Sequence, residues 1–339
     1  LNIIENLHPS QKEFFKEIYR DNEDRIVNKR ELSKDILQWE TNQGFFSKEK
    51  ELSDLYAGEN EYANYFIVGS PRTGSTLLSQ ILLQAFDLGC QYNAVAKYYS
   101  VPLYGYSEIS EKLKEKNKLE SFLGNTTGNL NAHEFGYFWQ YWLNYTDHHE
   151  PTAEHLSTVA VNQLQHKLNA ITNFLGKDLL IKNQVYINFI INWISNHITN
   201  SKFIFIYRDD FEVVESILYS RFIQYGRYDL WWSLRPAMYN EWSQLNPIDQ
   251  VVNQVLYTNK KIRQQLSILD NKEYIIIRYS DIVNNMKETI SEVGEFLNKR
   301  PKNLSELKEQ LIIRKKDYQL PWDKDQVMER LEKIKKTYC

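Results

Sequence analysis

The stretch Tyr65-Phe66-Ile67-Val68-Gly69-Ser70-Pro71-Arg72-Thr73-Gly74-Ser75-Thr76 decides the fold. Its first four residues are an unbroken apolar run, the pattern of a strand buried on both faces. From Ser75 to Phe86 the apolar residues Leu77, Leu78, Ile81, Leu82 and Ala85 recur at helical spacing. Between strand and helix lies a loop bounded by Gly69 and Gly74. That arrangement cradles phosphate: glycine lets the backbone approach closely, and the helix start offers unpaired N–H groups at the positive end of its dipole. A nucleoside-triphosphatase loop carries Lys after its second glycine and then Ser or Thr for Mg²⁺. Here Ser75 and Thr76 follow Gly74 directly, and the cation stands inside the loop as Arg72. A helix-capping loop with a solvated arginine is the plain alternative; the buried strand, both glycines and the hydroxyl pair argue against it.

The same grammar recurs along the chain. Leu179-Leu180-Ile181 precedes a helix near 187–198, Lys202 to Tyr207 a helix over 211–222, and Tyr274 to Tyr279 a helix over 281–297. Apolar strands alternating with helices predict an α/β fold, a P-loop-type parallel sheet flanked by helices. Residues 1–60, with Phe14, Phe15, Ile18 and Tyr19 at helical spacing, read as a helical N-terminal extension. The main domain then spans 61–339, with helical insertions at about 87–178 and 223–273 forming an acceptor side and a lid. Ligands in such sheets bind at the carboxyl ends of the strands, so the loops after Val68, Ile181, Tyr207 and Tyr279 are expected to converge.

Composition narrows the function. The 339 residues carry a net charge of −3, so no global field draws the chain to nucleic acid or an anionic membrane, and any anion must be held by a local cluster. Two cysteines, Cys90 and Cys339, make neither a disulfide framework nor a zinc spacing. The opening Leu1-Asn2-Ile3-Ile4-Glu5-Asn6 has no signal-peptide pattern and no apolar run is long enough to insert in a membrane, so a cytoplasmic protein is expected. Of the 23 Tyr, 16 Phe and 8 Trp much must be core, but the polar tips of Tyr and Trp suit a small-molecule pocket or an interface. Trp231-Trp232 with Tyr98, Tyr99, Tyr104 and Tyr106 are candidates for it, or for core.

A second signal is Arg208-Asp209-Asp210-Phe211-Glu212-Val213-Val214-Glu215-Ser216. Arg208 ends a buried strand and Ser216 lies about two turns into the next helix, so the two can grip one phosphate. Together with the loop, this segment resembles the sulfotransferase superfamily. Residues Phe66 to Thr76 look like its 5′-phosphosulfate loop, and Arg208 to Ser216 like its 3′-phosphate element. Arg278-Tyr279-Ser280-Asp281-Ile282 is similar to the strand end whose tyrosine lies against adenine. Ile181-Lys182-Asn183-Gln184 matches a lysine-bearing strand end. The resemblance spans about 65–300 and implies an enzyme using 3′-phosphoadenosine 5′-phosphosulfate as co-substrate, without a metal. It implies binding by Arg72, Thr73, Gly74, Ser75, Thr76, Arg208, Ser216 and Tyr279, with Lys182 stabilising the transferring group. A hydroxyl or amine of a small specialised metabolite is the expected acceptor, in a cytoplasmic transferase.

The base is less legible. Where animal cytosolic members carry a histidine, two residues after the lysine, this chain has Gln184, which cannot take a proton. His133-Glu134, at the start of an aromatic-rich helix, is the best replacement, with His133 and Glu134 both open as the base. A zinc-protease pattern fails because Tyr137 stands where a second histidine belongs. Asp147-His148-His149-Glu150 has ligand-type residues but reads as a loop before Pro151, and Arg314-Lys315-Lys316 as a solvated run that can add cations to the 3′-phosphate. A nucleotide kinase and a non-catalytic nucleotide-binding protein on the same scaffold are the competing functions.

Overall fold

The computed structural model describes residues 37–59, 61–114, 121–122, 125–126, 128–144, 149–302, 318 and 320–338. The Phe14 to Tyr19 periodicity, Asp147, His148 and the run Arg314-Lys315-Lys316 lie outside them. In chain order the strands are β1 (Asn64–Val68), β2 (Gly89–Cys90), β3 (Ser121–Phe122), β4 (Asn125–Thr126), β5 (Leu179–Lys182), β6 (Ser201–Tyr207) and β7 (Tyr274–Arg278). β3 and β4 form an antiparallel ribbon of their own, and the other five form one parallel sheet in the order β2-β5-β1-β6-β7. Phe66 of the central β1 stands opposite Ile181 of β5 and Phe203 of β6.

The period of two along β1 builds two cores. Phe66 and Val68 face one side, with Ile181 and Phe205; Tyr65 and Ile67 face the other, with Leu180 and Ile206. On the second side pack α2 (Ser75–Ala85), through Leu78, Ile81 and Leu82, and α9 (Met286–Leu297), through Ile290 and Val293. On the first side pack α3 (Gly136–Leu143), α4 (Val161–Leu175) and α5 (Ile191–His197). A third core joins α6 (Asp210–Tyr225), α7 (Pro247–Leu266) and α10 (Lys324–Lys335). The amino-terminal α1 (Phe46–Leu55) docks on α4 through a buried pair, Lys167 Nζ to Glu49 Oε1 at 2.5 Å.

Three local differences from the sequence reading have physical causes. The stretch 87–178 contributes a strand to the main sheet and the β3–β4 ribbon, but each of these strands has only two residues, too few to show a periodicity. The helix expected near 187–198 starts at Ile191, because the turns over 183–190 are held by side-chain amides described below. Tyr279 opens a helix, α8 (Tyr279–Asn284), instead of ending a strand, and Asn285 at φ −129° separates it from α9. Edge strand β7 also departs from full burial, with Ile276 44% exposed.

Gly69 sits where β1 meets the loop at φ +154°, and a Cβ there would lie 2.3 Å from the carbonyl oxygen of Ile206. Neither that backbone nor the dihedral can yield cheaply. Gly69→Ala is therefore expected to lower stability by about 2 kcal/mol or more; urea unfolding of the two proteins checks this.

Candidate active site

The loop after β1 is held from behind by two amide side chains of the segment following β5. Asn188, fully buried, accepts from Gly69 N–H at 3.0 Å through Oδ1 and donates to Gly69 O at 2.8 Å through Nδ2. Gln184 Nε2 donates to Gly69 O at 3.0 Å and Ser70 O at 3.1 Å, while its Oε1 accepts from Ser75 Oγ at 2.7 Å. From α7, Asn259 Oδ1 accepts from Ser70 Oγ at 2.8 Å. Thr73 turns its hydroxyl inward to Ser70 O at 2.8 Å. The hydroxyls of Thr73 and Ser75 are thus engaged within the protein, and the first N–H groups of α2 have no intrahelical acceptors. Gly74, at φ +98°, caps α2, and a Cβ on it would meet the Tyr279 ring at 2.4 Å.

Arg72 adopts φ +70°, a left-handed backbone that a non-glycine residue holds only under constraint. Its Nε donates to Ser216 Oγ at 3.1 Å, and Tyr318 OH donates to the same oxygen at 3.0 Å. Burial pulls the guanidinium down from its ordinary value; Tyr318 and Glu134 oppose this, and the charge of Arg208 adds to it. Arg208, at the end of β6, donates from Nε to Glu212 Oε2 at 2.6 Å and lays its guanidinium 4.7 Å from the Tyr279 ring centroid. The loop arginine, the α6 serine, the strand-end arginine and the Tyr279 ring therefore share one edge of the sheet. Sequence gave no sign of Tyr318, which follows the long stretch after α9.

Facing them is Lys182, the last residue of β5, with only 2% of its side chain exposed. Its Nζ donates to Glu134 Oε1 at 2.9 Å, and neighbouring Asn183 Nδ2 donates to the Glu134 backbone carbonyl at 2.7 Å. Glu134 keeps 44% of its side chain exposed, so the carboxylate is fixed on one side and open on the other. His133 is engaged differently. Its Nδ1 accepts from Phe135 N–H at 2.8 Å, closing a turn in which Phe135 takes φ 53°. The helix α3 begins at Gly136, after this turn. With Nδ1 occupied as acceptor, the neutral ring carries its proton on Nε2 and has no second lone pair to offer. Burial pulls the imidazole below its ordinary value, Glu134 opposing and Lys182 adding.

A model of the sulfotransferase family matches residues 65–300, spanning the loop, β5, β6 and β7. The chain belongs to the sulfotransferase family. Its fold is similar to the sulfotransferase STF9 from Mycobacterium avium, at 11% identity over 87% of this chain and 81% of that one, with a TM-score of 0.52. It is similar as well to the sulfotransferase STF1 from Mycobacterium tuberculosis H37Rv, at 12% identity over 86% and 80% of the two chains and a TM-score of 0.50. No curated protein matches the sequence significantly.

Other candidate groups of this sulfotransferase find structural partners. His149 Nδ1 accepts from Arg235 N–H at 2.8 Å, and Glu150 accepts from Tyr257 OH at 2.9 Å and pairs with Lys261 at 3.0 Å. Among the described residues no cluster of His, Cys, Asp and Glu is arranged to hold a metal, and no helix is long and apolar enough to cross a membrane. Tyr106 is fully buried with its OH on Cys90 O at 2.8 Å, Tyr99 lies in the core, and Tyr104 stacks on Phe45 at 4.0 Å. These tyrosines are packing residues. Trp231 is buried and Trp232 donates to Gln224 at 2.6 Å.

The His133 turn has a pH signature. Its imidazole is held neutral in the fold, so its stabilising contribution is present in full above the ordinary value of about 6.5. That contribution is lost as pH falls from there through the lowered folded value, because the unfolded chain takes up the proton first. His133→Asn keeps an acceptor for Phe135 N–H and removes the titration. Denaturant unfolding at pH 7.5 and 5.5 is expected to show a smaller acid loss in this variant than in the parent.

Proposed function

We propose that the protein transfers a sulfuryl group from 3′-phosphoadenosine 5′-phosphosulfate to a hydroxyl or amine of a small specialised metabolite, in the cytoplasm. The observation that carries the reading is the meeting of Arg72, Ser216, Arg208 and Tyr279 beside the Lys182–Glu134 pair at one sheet edge. The paired cations answer a polyanionic donor on a protein whose overall charge is −3.

In this reading Arg72 and the N–H groups of Thr73, Gly74, Ser75 and Thr76 hold the 5′-phosphosulfate. Ser216 Oγ already accepts from Arg72 and Tyr318, so its own proton is directed to the 3′-phosphate, beside the terminal nitrogens of Arg208. Tyr279 offers the ring against which adenine lies. The acceptor oxygen attacks sulfur, the bond from sulfur to the phosphate oxygen breaks, and its electron pair stays on 3′-phosphoadenosine 5′-phosphate. Arg72 and Lys182 stabilise the charge that develops on the leaving and sulfuryl oxygens. The acceptor proton passes to Glu134, whose carboxylate has an open side. His133 serves as the turn that aims Glu134 and is withdrawn as a base, because its one acceptor nitrogen is taken.

Incubation with labelled donor and pooled acceptors, with mass detection of a +SO₃ product, tests the function; nucleotide retention without any product refutes it. Calorimetry is expected to show 3′-phosphoadenosine 5′-phosphate bound about 10–100-fold more tightly than AMP, from contacts worth about 1.5–3 kcal/mol, with Arg208→Ala erasing most of that preference. Arg72→Ala is expected to reduce turnover more than affinity for the desulfated nucleotide, and Arg72→Lys to recover part of the rate through charge alone.

A further inference from the structure

Helix α6 carries an arginine that the donor site does not use. Arg221 is completely buried, and its Nη1 donates to Gln250 Oε1 at 2.7 Å and Tyr228 O at 3.1 Å. Its Nε and Nη2 have no hydrogen-bond partner, and neither has the hydroxyl of Tyr225, one turn along the same helix face. Among the described residues no carboxylate lies within ion-pair distance of it; Asp229, whose charge acts on it from further off, is held by Arg227. The guanidinium lies 5.4 Å from the Trp231 ring centroid, and the Trp231 N–H is already given to Leu234 O at 2.9 Å. Burial pulls Arg221 down to about 9, still above neutrality, so the buried group is a cation.

A buried cation with two orphaned donors and a hydroxyl beside it needs both acceptor lone pairs and negative charge. Water supplies the first and not the second; a small anion supplies both. We propose that Arg221 and Tyr225, walled by Trp231, form a binding site for a small monoanion, a halide or a carboxylate of similar size. The single positive charge and full burial favour one negative charge and small volume. Nε–H, Nη2–H and the tyrosine O–H are its donors, and the bound ion fastens residues 228–234 onto α6. This site stands apart from the donor reading and does not depend on it.

The test follows thermal unfolding of the full chain at constant pH and ionic strength, with chloride or formate replacing gluconate across three decades of concentration. The unfolding temperature is expected to rise by about 2 °C per tenfold above the dissociation constant. Whichever of chloride and formate acts at lower concentration identifies the halide or carboxylate source. Bromide is expected to quench tryptophan fluorescence saturably, with the saturable part missing in Trp231→Phe. Arg221→Met removes the anion dependence, and Arg72→Ala keeps it, which separates the site from the phosphate loop. If Arg221→Met does not fold, Tyr225→Phe, lacking one donor, is expected to shift the anion midpoint severalfold upward. Identical unfolding temperatures in gluconate, chloride and formate overturn the proposal, as does an anion dependence unchanged in both Arg221→Met and Tyr225→Phe.

Discussion

An ammonium group with 2% of its side chain exposed, at the end of a central strand, cannot stand without a counter-charge. Lys182 ends β5, next to β1 in the sheet, and Glu134 is the carboxylate that meets it. This pairing brings a segment 48 residues earlier in the chain across the strand ends. Asn183 fixes that segment a second time through the Glu134 carbonyl, and the His133 turn sets the direction in which it leaves toward α3. Only the lysine of this pair is buried, and the ion pair with the half-exposed Glu134 is what compensates its charge. Here that arrangement puts an anchored, half-open carboxylate near the loop that carries Arg72.

The loop is preorganised by the same segment. Asn188 and Gln184 together satisfy both backbone polar groups of Gly69 and the carbonyl of Ser70, so the loop holds its shape without a ligand. This gives Gln184 a structural role at the position where animal cytosolic members of the family carry a histidine. A glutamine there braces the loop from within, and the proposed proton acceptor, Glu134, stands on another segment. The left-handed backbone of Arg72 belongs to the same economy of constraint: a strained residue persists because its surroundings over-determine it.

Much of the architecture was legible from residues 65–76, since an apolar strand, a glycine-bounded loop and an apolar helix admit few folds. β6 and β7 followed from the same pattern. The two-residue β2 and the break at Asn285 were not legible, because neither leaves a periodic trace. At the site, Arg72, Arg208 and Ser216 were readable from the loop and the strand-to-helix spacing and Tyr279 only through the family resemblance, and the structure brings the four together. Tyr318 and Asn188 were hidden, as a lone tyrosine and a lone asparagine carry no pattern. The hydrogen bond from Phe135 N–H to His133 Nδ1, on which the proposed preference for Glu134 over His133 rests, is a contact no sequence displays. The tyrosines at 99, 104 and 106 went to packing, the ordinary fate of large side chains near a sheet.

Glu134 is the proposed acceptor of the proton released in transfer. The most direct measurement compares turnover with nucleotide affinity in Glu134→Gln, which keeps an oxygen for Lys182 and loses the basicity. The account predicts a fall in turnover of about 10²–10⁴-fold, with 3′-phosphoadenosine 5′-phosphate bound within about twofold of the parent and His133→Asn near normal in both. A folded Glu134→Gln protein that turns over at the parent rate contradicts it.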